Sequence, residues 1–311
     1  MIERTRPTDL SVVRIGIVAA RALTEGANGR VIAVFERSLY VSMQGQCACI
    51  GPEGLGDGPL NVICDNAAVA VALCNLSVGD AARIANGALL LGGLPAMSFA
   101  NVAMWRPSAT GAWSATTLTE GLSALNAALP PALPQEGLAL LLRPDDTIAL
   151  PHVAGAARAP ARQLANMARD RSAQPGAIDI DLLTPLLGLG PGLTPSGDDF
   201  LGGALIALNL LALTPLRDTL WQTLLPIAAT ATGDISRAHL AAAAEGFGSG
   251  ALHALLDDVM TGRAETVTAR LAAVAAIGHT SGWDALAGAV AVLDAANSVV
   301  GNSLAESIAA R

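Results

Sequence analysis

The sequence predicts an α+β protein, with an antiparallel β-rich N-terminal half, sandwich or barrel-like, followed by an all-α helical C-terminal domain. Three observations predict it. Up to Pro107, short β-branched runs alternate with clusters of turn residues. After Pro151 the texture becomes alanine-rich, with helical spacing and cap residues. Hydrophobic residues make up 52% of the 311-residue chain and aromatic residues only 3%, so the core must be built from Ala, Leu, Val and Ile. The expected domains are 1–150 and 151–311.

The strands are expected in order. Val12 to Val18 alternates imperfectly, and Val31 to Phe35 is a β-branched run. Leu39 to Met43 and Cys47 to Ile50 flank Gln44-Gly45-Gln46, a hairpin turn. Gly51 to Pro59 reads as a loop, Leu60 to Cys64 as a strand, and Val78 to Arg83 as turn-bearing. Ala88 to Leu91 and Met97 to Phe99 are further strands, and Trp105-Arg106-Pro107 closes the half. Leu118, Leu122, Leu125 and Leu129 have helical spacing. Pro130 to Pro134 is a stiff connector, and Gly137 to Leu142 suits a last strand or a short helix. Helices are then expected near 153–171, 179–187, 198–213, 215–231, 234–246, 249–260, 264–276 and 282–300.

Charge and cysteine usage exclude several functions. The net charge of −8 and the lack of basic clusters speak against nucleic acid. The cleanest apolar stretch, Phe200 to Leu208, falls short of the ~20 residues of a membrane span. Arg14 and Arg21 interrupt any apolar leader, so a cytoplasmic protein is expected. Cys47, Cys49, Cys64 and Cys74 lack metal-site spacing and read as ordinary buried thiols, so no metal is assigned to them.

The chemistry concentrates in G-P-G-L-T-P-S-G-D-D, residues 190–199, immediately before a long apolar run. It has an echo in G-H-T-S-G-W-D, residues 278–284. Ser196 and Ser281, Gly197 and Gly282, Asp199 and Asp284, and Gly203 and Gly288 are each 85 residues apart, giving S-G-x-D-x-L-x-G-A twice. S-x-x-D is a capping box, with serine at the N-cap and the acid at the third helical position, so each copy is expected to start a helix. Free N–H groups at such a start also suit an anion. Gly190, Gly192, Thr194, Asp198 and His279 exceed what a cap requires.

If the two starts face each other, Thr194, Ser196, Gly197, Thr280, Ser281, Gly282 and Asp284 line one pocket for a carboxylate or phosphate. His279, Asp199 and Asp198 are then the candidate catalytic residues, with His279 as acid or base. Asp198 and Asp199 also suit Mg²⁺ beside a phosphate. A third candidate is the helix start near Gly233, where Ser236 and His239 share a face and Arg237 offers positive charge. Neither a Walker lysine, a G-x-G-x-x-G loop nor a G-x-S-x-G elbow is present.

The stretch G-P-G-L-T-P-S-G-D-D-F-L-G-G (190–203) closely resembles a family first known as a domain of unknown function, whose bacterial members include AllH, a subunit of oxamate carbamoyltransferase in allantoin and purine degradation. G-H-T-S-G-W-D-A-L-A-G (278–288), the Ser236 helix and the strand-rich first half are similar to that family's other features. The resemblance implies a multi-subunit enzyme with an FdrA-type subunit and a further carbamoyltransferase subunit as partners. It implies carbamoyl transfer between oxalurate with phosphate and oxamate with carbamoyl phosphate, so the ligands are small anions. A non-catalytic ligand-sensing or scaffolding subunit is the alternative, and motifs that are only caps are the third reading.

Overall fold

A computed structural model describes residues 10–65, 68–143, 147, 149–170 and 179–309. It divides into two compact units, 1–107 and 108–311. The helix over Leu118 to Leu129 and the proline connector fall in the second unit, whereas the sequence texture changes only near 150.

The first unit is a barrel. Its strands are β1 (Leu10–Gly16), β2 (Asn28–Val34), β3 (Leu39–Met43), β4 (Gln46–Pro52), β5 (Asn61–Cys64), β6 (Ala81–Ala85), β7 (Ala88–Leu91), β8 (Met97–Ser98) and β9 (Ala103–Trp105). They run in the order β5-β4-β3-β2-β6-β7-β8-β1, and β1 pairs back onto β5, which closes eight strands. Most pairs are antiparallel; β4–β5, β1–β8 and β1–β9 are parallel. β8 pairs with the start of β1 at Leu10 and Ser11, and β9 takes over from Arg14 to Gly16. Closure leaves few unpaired edges.

Alternation fills the barrel. Leu39, Val41 and Met43 of β3 are buried with Ile50, Val62, Leu89, Leu91 and Met97. Along β4, Ala48 and Ile50 join that core while Cys47 and Cys49 lie on the opposite face, also buried. Helices α1 (Ile17–Ala22) and α2 (Ala68–Leu73) pack against β4, and their Ala19, Ala22, Val69 and Leu73 join the core of Ala48 and Ile50. These two helices and strands β6 and β9 were not legible as such. Ile17 and Val18 continue the apolar run of β1 but turn helical at Gly16, whose backbone lies against Gly58 and Pro59. Three of the four cysteines are buried thiols, as expected, but Cys74 is exposed and donates to the Glu36 carbonyl. Burial pushes the Cys49 and Cys64 thiols up to about 12, which disfavours the thiolate form.

The second unit is helical: α3 (Ala115–Ala128), α4 (His152–Arg169), α5 (Ile180–Leu183), α6 (Ser196–Leu210), α7 (Thr214–Ala231), α8 (Asp234–Ala244), α9 (Gly250–Thr261), α10 (Ala264–Ala275) and α11 (Ser281–Ala309). Single 3₁₀ turns lie at Ala139–Leu142, where the sequence left strand or helix open, and at Thr184–Leu186. Helix α6 is at the centre. Phe200, Leu201, Ala204, Leu205, Ala207 and Leu208 are buried on every side of it, because α4, α7, α8 and α11 all pack against it. Asp258 of α9 is buried and held by Thr266, Arg263 and Arg270. Burial alone would raise its carboxyl; these partners outweigh burial and hold it below the ordinary range.

Candidate functional site

Both S-G-x-D segments start helices, but by a different cap than the sequence suggests. Pro195, not Ser196, is the N-cap of α6, and Ser196 is already its first residue. The N–H groups of Asp198 and Asp199 bond to the Pro195 carbonyl, at 2.9 and 3.1 Å. At α11 the Asp284 N–H bonds to the Thr280 carbonyl at 2.9 Å. The capping-box reading is therefore corrected: backbone carbonyls open both helices, and the serine hydroxyls are left for other partners.

The echo extends into three dimensions. Before α6, Leu189 N–H bonds to Leu186 and Gly197 N–H to Leu189; before α11, Ile277 N–H bonds to Val274 and Gly282 N–H to Ile277. A Cβ on Gly197 would sit 2.0 Å from the Leu186 carbonyl oxygen, and one on Gly282 would sit 1.9 Å from that of Val274. The two turns are thus one design, and both glycines are required by close backbone approach. Six residues separate Leu189 from Ser196 but three separate Ile277 from Ser281, so the first copy carries three extra residues. Gly190 and Gly192 both take positive φ within that longer bend.

The two helices then cross reciprocally. A Cβ on Gly203 would meet the Ala285 carbonyl oxygen at 1.8 Å, and one on Gly288 would meet the Phe200 carbonyl oxygen at 1.9 Å. Residue 203 touches 285 while 288 touches 200, and each pair of equivalents is 85 apart, so the copies are related by an approximate two-fold. The helix starts converge at this crossing: Thr194 Oγ1 lies 3.1 Å from Ser281 Oγ.

Three carboxylates sit at these starts, in three environments. Asp198 is 2% exposed and fully engaged. Its Oδ1 accepts from Gly188 N–H at 2.9 Å, and its Oδ2 from the hydroxyls of Ser236, at 2.7 Å, and Thr232. It ties the long bend to the end of α7 and the start of α8. Asp284 is 0% exposed; its Oδ1 accepts from Leu138 N–H at 2.6 Å, and its Oδ2 has no hydrogen-bond partner. Asp199 Oδ2 is likewise shielded from solvent without a partner.

The hydroxyls cross between the copies. Ser281 and Thr194 neighbour Asp199, while Thr280 and Ser196 neighbour Asp284. Burial pushes the Asp199 carboxyl well above the ordinary carboxylate range; the Ser281 hydroxyl eases this and the charges of Asp284 and Asp198 add to it. Burial also raises Asp284, against the pull of Leu138 N–H, Thr280 and Ser196.

His279 lies elsewhere. Its side chain is 82% exposed, and its Nε2 is 2.5 Å from Glu136 Oε2. It borders the acids only through chain neighbours: Thr280 on one side, and Gly137 and Leu138 next to Glu136. Ser236 is brought to Asp198 rather than to Asp199. His239 follows it by one turn and precedes Ala243, which lies against Gly202 of α6. Burial holds the His239 imidazole neutral, with its pKa lowered to about 4. Arg237 spends its guanidinium on the Ala229 carbonyl and Asp234, not on the acids. His253, read as structural, accepts from Gly248 N–H at 3.0 Å.

The sequence missed Gly137, Leu138, Thr232 and Gly188. Gly137 has φ +68, and a Cβ there would meet Asp284 Oδ1 at 2.4 Å. No spacing rule connects these residues to the motifs. Gly188, in the same glycine-rich bend, and Thr232, a cap candidate at the start of the Ser236 helix, carried a signal, but not one that led to Asp198.

No curated protein and no solved structure matches the chain. Residues 186–293, which hold both helix starts and their crossing, match the family model described as oxamate carbamoyltransferase subunit AllH, so the resemblance read from the motifs holds over the segment that carries them.

Proposed function

We propose that this chain is a subunit of an oxamate carbamoyltransferase-like enzyme of allantoin and purine nitrogen catabolism, acting with partner subunits. The family match supports the class. The observation that carries a site is the approach of Thr194 to Ser281 at 3.1 Å, which joins two helix starts 85 residues apart. In the direction of oxalurate breakdown, a phosphate oxygen attacks the ureido carbonyl. The C–N bond to the oxamate nitrogen breaks, that nitrogen takes the phosphate's proton, and carbamoyl phosphate leaves. The Thr194, Thr280 and Ser281 hydroxyls and the α11 start would donate to the developing oxyanion or phosphate. His279, held by Glu136 at the surface, would serve as the acid or base only if the substrate reaches out to it from the helix starts. Asp198 would hold the bend in place rather than react.

Charge sets a condition on this reading. Asp199 and Asp284, both ionised, repel any anion brought to the helix starts. Anion binding there needs the pair neutralised.

The test is an assay of phosphate-dependent oxalurate breakdown by the chain with its FdrA-type and further partner subunits. Thr194→Val with Ser281→Ala is expected to lower kcat/KM by about 100-fold, as for loss of oxyanion donors. Unchanged activity of that complex would overturn a site at the crossing. The shielding of both orphan oxygens from solvent favours a second reading, a ligand-sensing or scaffolding subunit. It predicts that His279→Ala leaves kcat unchanged while assembly depends on the chain.

A further inference from the structure

We propose that Asp199 and Asp284 hold a hard divalent cation, Mg²⁺ or Ca²⁺, on the approximate two-fold axis between α6 and α11. Each acid presents a buried Oδ2 that no donor satisfies. Unsatisfied buried acceptors are rare and cost about 1–3 kcal/mol each, more when charged. These two fall on equivalent residues of the two copies, at helix starts joined by the approach of Thr194 to Ser281.

Apart from the Leu138 N–H on Asp284 Oδ1, the polar groups around the two acids are hydroxyls. The hydroxyls of Ser281 and Thr194 border Asp199, and those of Thr280 and Ser196 border Asp284. Carboxylate and hydroxyl oxygens without nitrogen or sulfur select hard cations. Two carboxylates match a double positive charge. A third acid is not needed: Asp198, the nearest in sequence, already has three donors. Among the described residues no group of three or more His, Cys, Asp or Glu side chains is placed for a metal, so the ion would rest on these two carboxylates and their hydroxyl neighbours. Solvent does not reach either Oδ2. The site also departs from the sequence expectation, which paired Asp198 with Asp199.

A cation here would neutralise the acids and make the helix starts tolerant of an anion. Its binding does not depend on the transfer reaction and can succeed if that reading fails. The test uses the full chain, stripped with EDTA, and follows Tm during titration with MgCl₂, CaCl₂ or MnCl₂, with NaCl and KCl as controls. Elemental analysis of protein purified without chelator gives the stoichiometry. A saturable rise in Tm with one ion per chain is expected.

Asp199→Asn, which keeps shape and removes charge, should abolish it. Ser281→Ala should weaken it roughly tenfold, as loss of a supporting group does. Asp199→Asn serves if Asp284→Asn fails to fold. Overturning results are the absence of bound metal and of any saturable shift, an equal response to NaCl, or full binding by Asp199→Asn. The first of these would leave a shared proton as the occupant.

Discussion

Asp198 shows how a conspicuous acid becomes structural. Its three donors come from the bend, the end of α7 and α8. Asp198→Ala would orphan a backbone N–H and two hydroxyls in a buried place. The expected loss is about 3 kcal/mol or more in urea denaturation, well beyond a cap's ~1 kcal/mol. A second residue-level prediction concerns His239 and His253, both lowered to about 4 by burial. The unfolded chain protonates them near 6.5, so between about 4 and 6.5 it binds more protons than the folded chain. Stability from these residues is present above 6.5 and is lost as pH falls toward 4. His253→Leu should flatten part of that slope while costing about 1–3 kcal/mol at pH 7, because it orphans Gly248 N–H.

Among the elements, α6 and α11 depend on glycine in one register only. Gly203→Ala and Gly288→Ala would each force a methyl into a backbone carbonyl, at 1.8 and 1.9 Å. Each should cost about 1–3 kcal/mol or more through helix displacement and should loosen the Thr194–Ser281 approach. Gly202→Ala is the control. Its Cβ would meet Ala243 at an ordinary 3.7 Å, so the helix gains about 0.5–1 kcal/mol. Thermal denaturation of the three variants reads the opposite signs directly. The sequence showed that all three positions are glycine in or beside a repeated motif; it could not say which of them touches backbone, since that depends on the partner helix.

Among the described residues the whole molecule has two hydrophobic cores with no residue in common. One runs from Leu10 to Met97 and the other from Leu118 to Ala295. Each unit therefore has its own apolar interior. Residues 108–311 expressed alone should unfold cooperatively, with far-UV and near-UV circular dichroism changing together. Residues 151–311 should not, because that cut removes Leu118, Leu125, Leu138 and Leu142 from the helical core and Leu138 N–H from Asp284. Among the described residues no helix is long and apolar enough to cross a membrane; α6 is apolar because helices surround it. Composition placed the change of texture near 150, whereas packing divides the chain at 107/108, since α3 is surrounded by other helices.

By itself the sequence determined the order and type of most elements, because hydrophobic period and turn chemistry are local properties. It also determined the 85-residue echo and, through the 190–203 motif, the family resemblance. Tertiary structure alone decided which acid is tied down and which is left with an orphan oxygen. It decided that His279 reaches Glu136 at the surface and that Gly137 seats Asp284. Hydrogen-bond satisfaction and burial depend on neighbours far along the chain, and S-G-D-D reads the same whichever aspartate finds its donors.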